Sequence, residues 1–335
     1  MSKAEDQLLA LVESYFNEHL RRVRGASHHT VRAYSQTLRL FFAFLAQTRQ
    51  CQVAQLRLTD LRSRNVLAFL DYLETTRGNR AATRNARLAA IRGFVEHLLR
   101  HDPTRAGQYQ RILNLPNKKQ RQPIVEYLEP EEVRVLLQQP DGRTPLGRRD
   151  RALFFFLYNT GARVSEALAI RPVDLQLQRT WQVRINGKGN KQRLCPLWRD
   201  TATSLKQILD DIADGEALFK NARGQPLTRD GVAYLLRKYM RLAGKEVSSL
   251  RGRKVTPHVL RHSCAVALLQ AGVDITMIRD YLGHASVTTT SRYLTTNLQL
   301  KRQVLDAFWE RAGLSAPTDS TWDPKPELLA FLSSL

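Results

Sequence analysis

Between Ala4 and about Arg111, apolar residues recur at steps of three and four, the period of helices that each bury one face. In "SHHTVRAYSQTLRLFFAFLAQT" the positions Val31, Tyr34, Leu38, Phe41, Phe42 and Leu45 fall on one stripe. Ser27 stands where a side-chain oxygen can cap the first unpaired amides. The same period predicts a helix through "LTDLRSRNVLAFLDYLE" and another through "AATRNARLAAIRGFVEHLL". The second turns Leu88, Ile91, Val95 and Leu98 inward and carries Arg80, Arg84 and Arg87 as a separate basic stripe.

The pattern then changes. "LNLPNKKQRQPIVEYLEP" is polar, basic and broken by Pro116 and Pro123, and reads as a linker. Beyond it, helical stretches alternate with a short β region: "TWQVRI", "NGKGNK" and "QRLCPL" read as strand, glycine turn and strand, a hairpin whose tip carries Lys188 and Lys191. "RALFFFLYNT" is apolar all round and ends at Gly161, with Arg163 opening the next helix and Glu166 placed to hold it. In "TPHVLRHSCAVALLQAG", Thr256 is the N-cap, Pro257 the first helical residue and Gly272 the stop.

A chain of 335 residues suits two domains, each with its own core. Lys and Arg number 52 against 31 Asp and Glu, and residues 1–125 alone hold 21 against 9, so both halves are basic. A polyanion such as nucleic acid, enclosed from two sides, is the partner this charge favours. Cys51, Cys195 and Cys264 show no disulfide or metal spacing, as expected of buried thiols in a reducing cytoplasm. The start "MSKAEDQLLALVESYF" is unlike a signal peptide, and no apolar run reaches membrane-spanning length.

His258 and Arg261 lie three apart at a helix start, pointing the same way beside free backbone amides, which outlines a phosphate site. His258 and His262 also have the spacing of a zinc-protease helix, but Val259 occupies the place of the glutamate base and no third ligand is evident. Arg163 is either a second phosphate ligand or the partner of a structural ion pair with Glu166. In "GHASVTTTSRYLTTN" Tyr293 is surrounded by Thr289, Thr290, Thr296 and Asn297, so its ring has no apolar stripe to join and its hydroxyl is open to use. Tyr281 in "RDYLGH" reads as packing.

Taken in order, "TGARVSEAL", "GKGNKQR", "HVLRHSCA" and "YLGHASVTTTSRYL" closely resemble the motifs of the tyrosine recombinases, or phage-type integrases, over the whole second half. Within that family the resemblance is to bacterial Xer-like enzymes and integrases of mobile elements. It implies a mainly α fold with a small β-sheet: a helical, SAM-like core-binding domain over 1–112, a linker over 113–126, a mixed α/β catalytic domain over 127–311 and a tail over 312–335. It implies that Tyr293 attacks a DNA phosphodiester to form a 3′-phosphotyrosine, that Arg163, Arg261 and His284 stabilise the phosphate, that Lys188 protonates the leaving 5′-oxygen, and that His258 handles the tyrosine proton. No cofactor or metal is called for. Arg80, Arg84, Arg87 and Lys191 are the expected contacts to duplex DNA.

The implied partners are double-stranded DNA with specific recombination sites, further copies of the chain in a tetramer on two sites, and possible sibling recombinases, with no membrane. The setting is the bacterial, nucleoid-associated cytoplasm. Integration or transposition of a mobile element is the favoured role, with dimer resolution of the Xer type as its alternative. A type IB topoisomerase and a non-catalytic DNA-binding paralogue are more remote readings. After Tyr293, the stripe Leu300, Val304, Leu305, Phe308 and Trp309 and the terminal "PELLAFLSSL" are expected to meet a neighbouring subunit or to fold back.

Overall fold

The computed structural model describes residues 3–120, 125–187, 191–210, 212–213 and 215–283. The chain divides into two compact units, Met1–Pro123 and Ile124–Leu335.

The first unit is helical: α1 (Lys3–Ser14) runs into a π-helical stretch, Tyr15–Val23, followed by α2 (His28–Thr48), α3 (Ser63–Thr75), α4 (Ala81–His101) and α5 (Ala106–Leu113). Ser27 caps α2 as its position predicts, its hydroxyl accepting from the Thr30 amide at 3.3 Å. Val31, Leu38, Phe41 and Leu45 are buried with Leu88, Ile91, Val95 and Leu98, while Tyr34 and Phe42 pack at the edge of this core.

The helix expected through "LTDLRSRNVLAFLDYLE" is interrupted. Leu58–Asp60 is a single 3₁₀ turn, Leu61 departs to φ −78, ψ 66, and α3 starts only at Ser63. Asp60 accepts from the Arg57 amide at 2.8 Å, and Gln108 of α5 donates to the carbonyls of Leu58 and Leu61 at 2.7 and 2.9 Å. A distant amide therefore satisfies the groups that a continuous helix would have paired internally. The start of the expected linker is also held to this unit, because the Lys118 ammonium pairs with Glu74 at 2.9 Å and its backbone exchanges hydrogen bonds with Asn85.

One aromatic cluster in this unit titrates. His97 is 2% exposed, its ring 5.4 Å from Tyr15, 5.4 Å from His19 and 4.1 Å from His101. Burial, and then the neighbouring His101, His19 and Arg100, press its pKa down to about 4. The unfolded chain, with an ordinary histidine near 6.5, binds the extra proton first, so this contribution is complete above about pH 6.5 and is lost as pH falls toward 4. At most about 3 kcal/mol is involved. Urea midpoints of the full chain should fall between pH 7 and 4.5, and His97→Leu should flatten that fall; equal slopes for the two proteins would remove His97 as the cause.

The second unit contains α6 (Pro130–Gln138), α7 (Pro145–Thr160), the short α8 (Val164–Ala167), β1 (Leu175–Gln176), β2 (Gln182–Asn186), β3 (Gln192–Pro196), α9 (Arg199–Leu209), α10 (Arg229–Glu246), α11 (Pro257–Gln270) and α12 (Ile275–Leu282). Because the run over residues 152–158 of α7 is apolar on every side it goes to the middle of the core, where Ala152, Leu153, Phe154, Phe156 and Leu157 are at most 1% exposed. The sheet is antiparallel in the order β1-β2-β3, with Val183 opposite Cys195 and Ile185 opposite Arg193. The predicted hairpin is thus present, with the additional two-residue β1, and residues 188–190 of its tip lie outside the described part. The fold is mainly α with one small sheet, as the motifs imply. No helix of the described residues is long and apolar enough to cross a membrane. The segment after Tyr293 and the terminal segment lie outside the described residues.

Candidate active site

Two sharp corners of the second unit, at Gly161 and Gly283, are tied to the start of α11. Gly161 ends α7 in the left-handed region at φ 56, and a Cβ on it would run into the buried Leu282 side chain, so both the backbone and the packing favour glycine there. Two residues later Arg163 is the N-cap residue of α8. Its amide donates to Glu166 Oε2 at 3.0 Å and its Nη1 to Glu166 Oε1 at 2.7 Å. The Arg163 side chain is 34% exposed and that of Glu166 only 5%. Burial raises the Glu166 carboxyl, but hydrogen bonds and charge from Arg193, and then Arg163, outweigh it and hold the group below the usual carboxylate range.

α11 begins as its sequence predicts, with Thr256 accepting from the Val259 amide at 3.4 Å and Pro257 in the first turn. His258 is exposed at this start. Its pKa is lowered by burial of part of the ring, then by the charges of Arg261 and Arg163, which leaves a neutral imidazole able to accept a proton near pH 7. Arg261, expected as an open phosphate fork, is 3% exposed. Its Nη1 donates to the Gly161 carbonyl and its Nη2 to the Leu282 carbonyl at 2.8 Å. It therefore ties the corner before Arg163 to the corner at Gly283, φ 66, which directly precedes His284.

Lys188, His284 and Tyr293 lie outside the described residues. Lys191 is exposed at the turn end of the hairpin, where its carbonyl accepts from the Gly187 amide at 2.8 Å. Tyr281 is a packing residue, as its motif suggests: its hydroxyl donates to the Asn159 carbonyl at 2.6 Å and accepts from Asn159 Nδ2 at 3.2 Å, while burial raises its pKa. Among the described residues no group of three His, Cys, Asp or Glu side chains is placed to hold a metal ion.

Two participants escape a reading of the motifs. Asn159, fully buried, joins α7 to the sheet by donating from Nδ2 to the Pro196 carbonyl at 3.3 Å, and to the start of α9 by accepting from the Trp198 amide at 2.8 Å. Arg193 on β3 reaches Glu166 Oε2 at 2.9 Å with a side chain only 12% exposed. Strand alternation held the signal, since Arg193 shares its face with the buried Cys195 and an inward arginine needs a buried partner.

The basic stripe expected on α4 does not form as one exposed face. Arg80 is exposed at the N-cap, and Arg87 is half-buried with its pKa lowered by burial and then by Arg77. Arg84 is buried, its Nε 3.2 Å from Glu74 Oε2, because α3 packs against that turn of α4. Other basic surface is present on α2, where Arg32, Ser35, Gln36 and Arg39 line an open hollow of about 280 Å³.

Comparison with known proteins places these elements. The profile of the "Phage integrase family" matches residues 126–316, and that of "Phage integrase, N-terminal SAM-like domain" matches 13–102. The putative integrase/recombinase y4rC of Sinorhizobium fredii is 37% identical over 330 residues, covering 98% of each chain. The tyrosine recombinase XerC of Pelobacter propionicus is 32% identical over 309 residues, 91% of this chain and 97% of that one. In fold, the chain resembles XerH site-specific recombinase bound to its palindromic difH substrate, with a TM-score of 0.68 at 23% identity over 92% of this chain and 90% of that one. It also resembles the Tn1549 transposon integrase in complex with transposon right-end DNA, with a TM-score of 0.67 at 15% identity over 90% of this chain and 99% of that one.

Proposed function

The chain belongs to the phage integrase family of tyrosine recombinases, and on that premise we propose that it cuts and rejoins duplex DNA at two recombination sites to integrate or transpose a mobile element. Arg261, bonded to both corners, carries the reading: it fixes the backbone leading into Arg163 and the backbone leading into His284 against one helix start that also presents His258. Phosphoryl transfer asks for such convergence of cations on one phosphate.

In the reaction, the Tyr293 oxygen gives its proton toward His258 and attacks phosphorus. The 5′-oxygen leaves with a proton from Lys188, and a 3′-phosphotyrosyl bond keeps the energy for rejoining. Arg163 and His284 meet the charge that builds on the nonbridging oxygens, with Arg261 beneath them, and the atoms balance without a cofactor. The enzyme works as a tetramer on two sites, with the segment after Tyr293 meeting a neighbour. The 37% identity over nearly the whole chain to a protein named as a putative integrase/recombinase supports the integration reading.

The test is to incubate the full chain with nicked duplexes tiled across the DNA around its own gene and across the chromosome's replication terminus, and to sequence any DNA joined to protein. Adducts at the ends of an element bearing the gene support integration. Adducts at a terminus site point to dimer resolution, and a chain that binds but forms no adduct would be an accessory protein.

The charged surface of the first unit makes a separate prediction for binding. Arg80→Ala with Arg87→Ala should lower the slope of log affinity against log salt by up to about 0.9 for each phosphate that the double variant no longer neutralises. Arg84→Met should leave that slope alone and instead cost about 1 kcal/mol of stability, since it removes the buried partner of Glu74 while Lys118 still pairs with that carboxylate. Anisotropy titrations across a salt series, with urea melts alongside, separate the two effects; a slope that moves with Arg84 would put that side chain on DNA.

A further inference from the structure

The Glu166 carboxylate is shared by two arginines. Its Oε2 accepts both the Arg163 amide at 3.0 Å and Arg193 Nη2 at 2.9 Å, leaving Oε1 to take a single arm, Nη1, of the Arg163 guanidinium at 2.7 Å. The three groups together carry one net positive charge in a site where the carboxylate is 5% exposed and Arg193 12%. Arg193 also occupies a junction: its Nη1 lies 3.0 Å from where a Cβ on Gly283 would stand and the same guanidinium 3.6 Å from where one on Gly187 would stand. One side chain thus bonds to the acid that holds Arg163 and lies beside Gly187, where β2 enters the turn that bears Lys188, and beside Gly283, the residue before His284.

We propose that Arg193 is a positioning residue for the strand-transfer reaction, occupying one oxygen of Glu166 so that this acid orients Arg163 without neutralising it. The inference rests on the reading of Arg163 as a phosphate ligand. A carboxylate facing one guanidinium alone closes a two-armed, charge-cancelling pair, and such a pair competes with phosphate for the same fork. Engaged by Arg193 on the other oxygen, Glu166 restrains Arg163 through one arm, and a third of the Arg163 side chain stays open to solvent. Arg193 itself stays away from the reacting atoms, acting through Glu166 and the two glycine corners.

The experiment uses the full chain on the nicked duplex identified by adduct mapping of the wild type. Arg193→Met should slow covalent adduct formation by about 10- to 100-fold, the usual cost of losing a group that orients a ligand, while duplex affinity changes less than about threefold. Adding Glu166→Gln to Arg193→Met removes the charge that would cancel Arg163, so the double variant should be faster than Arg193→Met and within about fivefold of Glu166→Gln alone. A purely structural role predicts no such rescue. Arg193→Gln, which keeps a hydrogen bond to Glu166 but no charge, serves where the Met variant melts early, and should be slow as well. Wild-type rates for Arg193→Met or Arg193→Gln overturn the inference, as does a double variant no faster than the single one. A wild-type chain that forms no adduct overturns the proposed reaction and this inference with it; a normal wild type beside unimpaired variants overturns this inference alone.

Discussion

Tyr293→Phe should bind duplex DNA within a few-fold of the wild type and form no covalent adduct, a fall in cleavage rate on the order of 10⁴ or more. Only one oxygen departs. The phenyl ring keeps the volume of the phenol, so whatever packing the side chain provides is retained, whereas the reaction loses the atom that receives the phosphoryl group. The measurement is a denaturing gel of protein and end-labelled nicked duplex, with gel shift on the intact duplex as the control for binding. If a 3′-phosphotyrosyl species persists in the Phe variant, another side chain is the nucleophile, and peptide mapping of that adduct names it.

Arg261→Lys is expected to be nearly as damaging as Arg261→Ala, with cleavage slowed by at least about 10- to 100-fold, the usual cost of losing a group that orients the reacting ones. The reason differs from the one a motif supplies. Arg261 uses both terminal nitrogens on carbonyls 121 residues apart in sequence, Gly161 and Leu282, and a lysine's single ammonium cannot span the two. Stability should fall with activity, since a buried carbonyl losing its donor costs about 1 to 3 kcal/mol. Cleavage rate and urea midpoint, measured on the same preparation, test both parts. A Lys variant that cleaves normally would show that one arm suffices.

Much of the second unit is legible in the chain. Thr256 before Pro257, Gly161 after an apolar run and the two strands flanking a glycine turn each state a local geometry, and the N-cap, the corner and the paired strands are found where expected. The misreadings arise from interactions at long range. Nothing near Leu58 signals that Gln108 will take its carbonyl, so the periodicity predicts a helix where a 3₁₀ turn forms. Arg84 repeats with Arg80 and Arg87 at helical spacing, but which of the three meets Glu74 is decided by how α3 lies on α4. Arg193 sits inside the hairpin motif with no role evident there, because its partner, Glu166, is 27 residues away and its function depends on a carboxylate already engaged.

The seat of Arg261 has a consequence for how this site changes through mutation. Its acceptors at Gly161 and Leu282 are main-chain oxygens, which every residue supplies, so no side chain at 161 or 282 encodes these contacts. Exchanges at those positions can disturb the path of the chain but cannot compensate for a missing guanidinium. Second-site suppressors of Arg261 variants should therefore be absent from both positions, and the arginine should leave no trace of paired substitution with either. The Arg193 and Glu166 pair is the opposite case: two side chains meet there, and loss of one charge can be answered by loss of the other. Two arginines in one site, equally hidden in the sequence, thus leave different genetic signatures, one silent and one reciprocal.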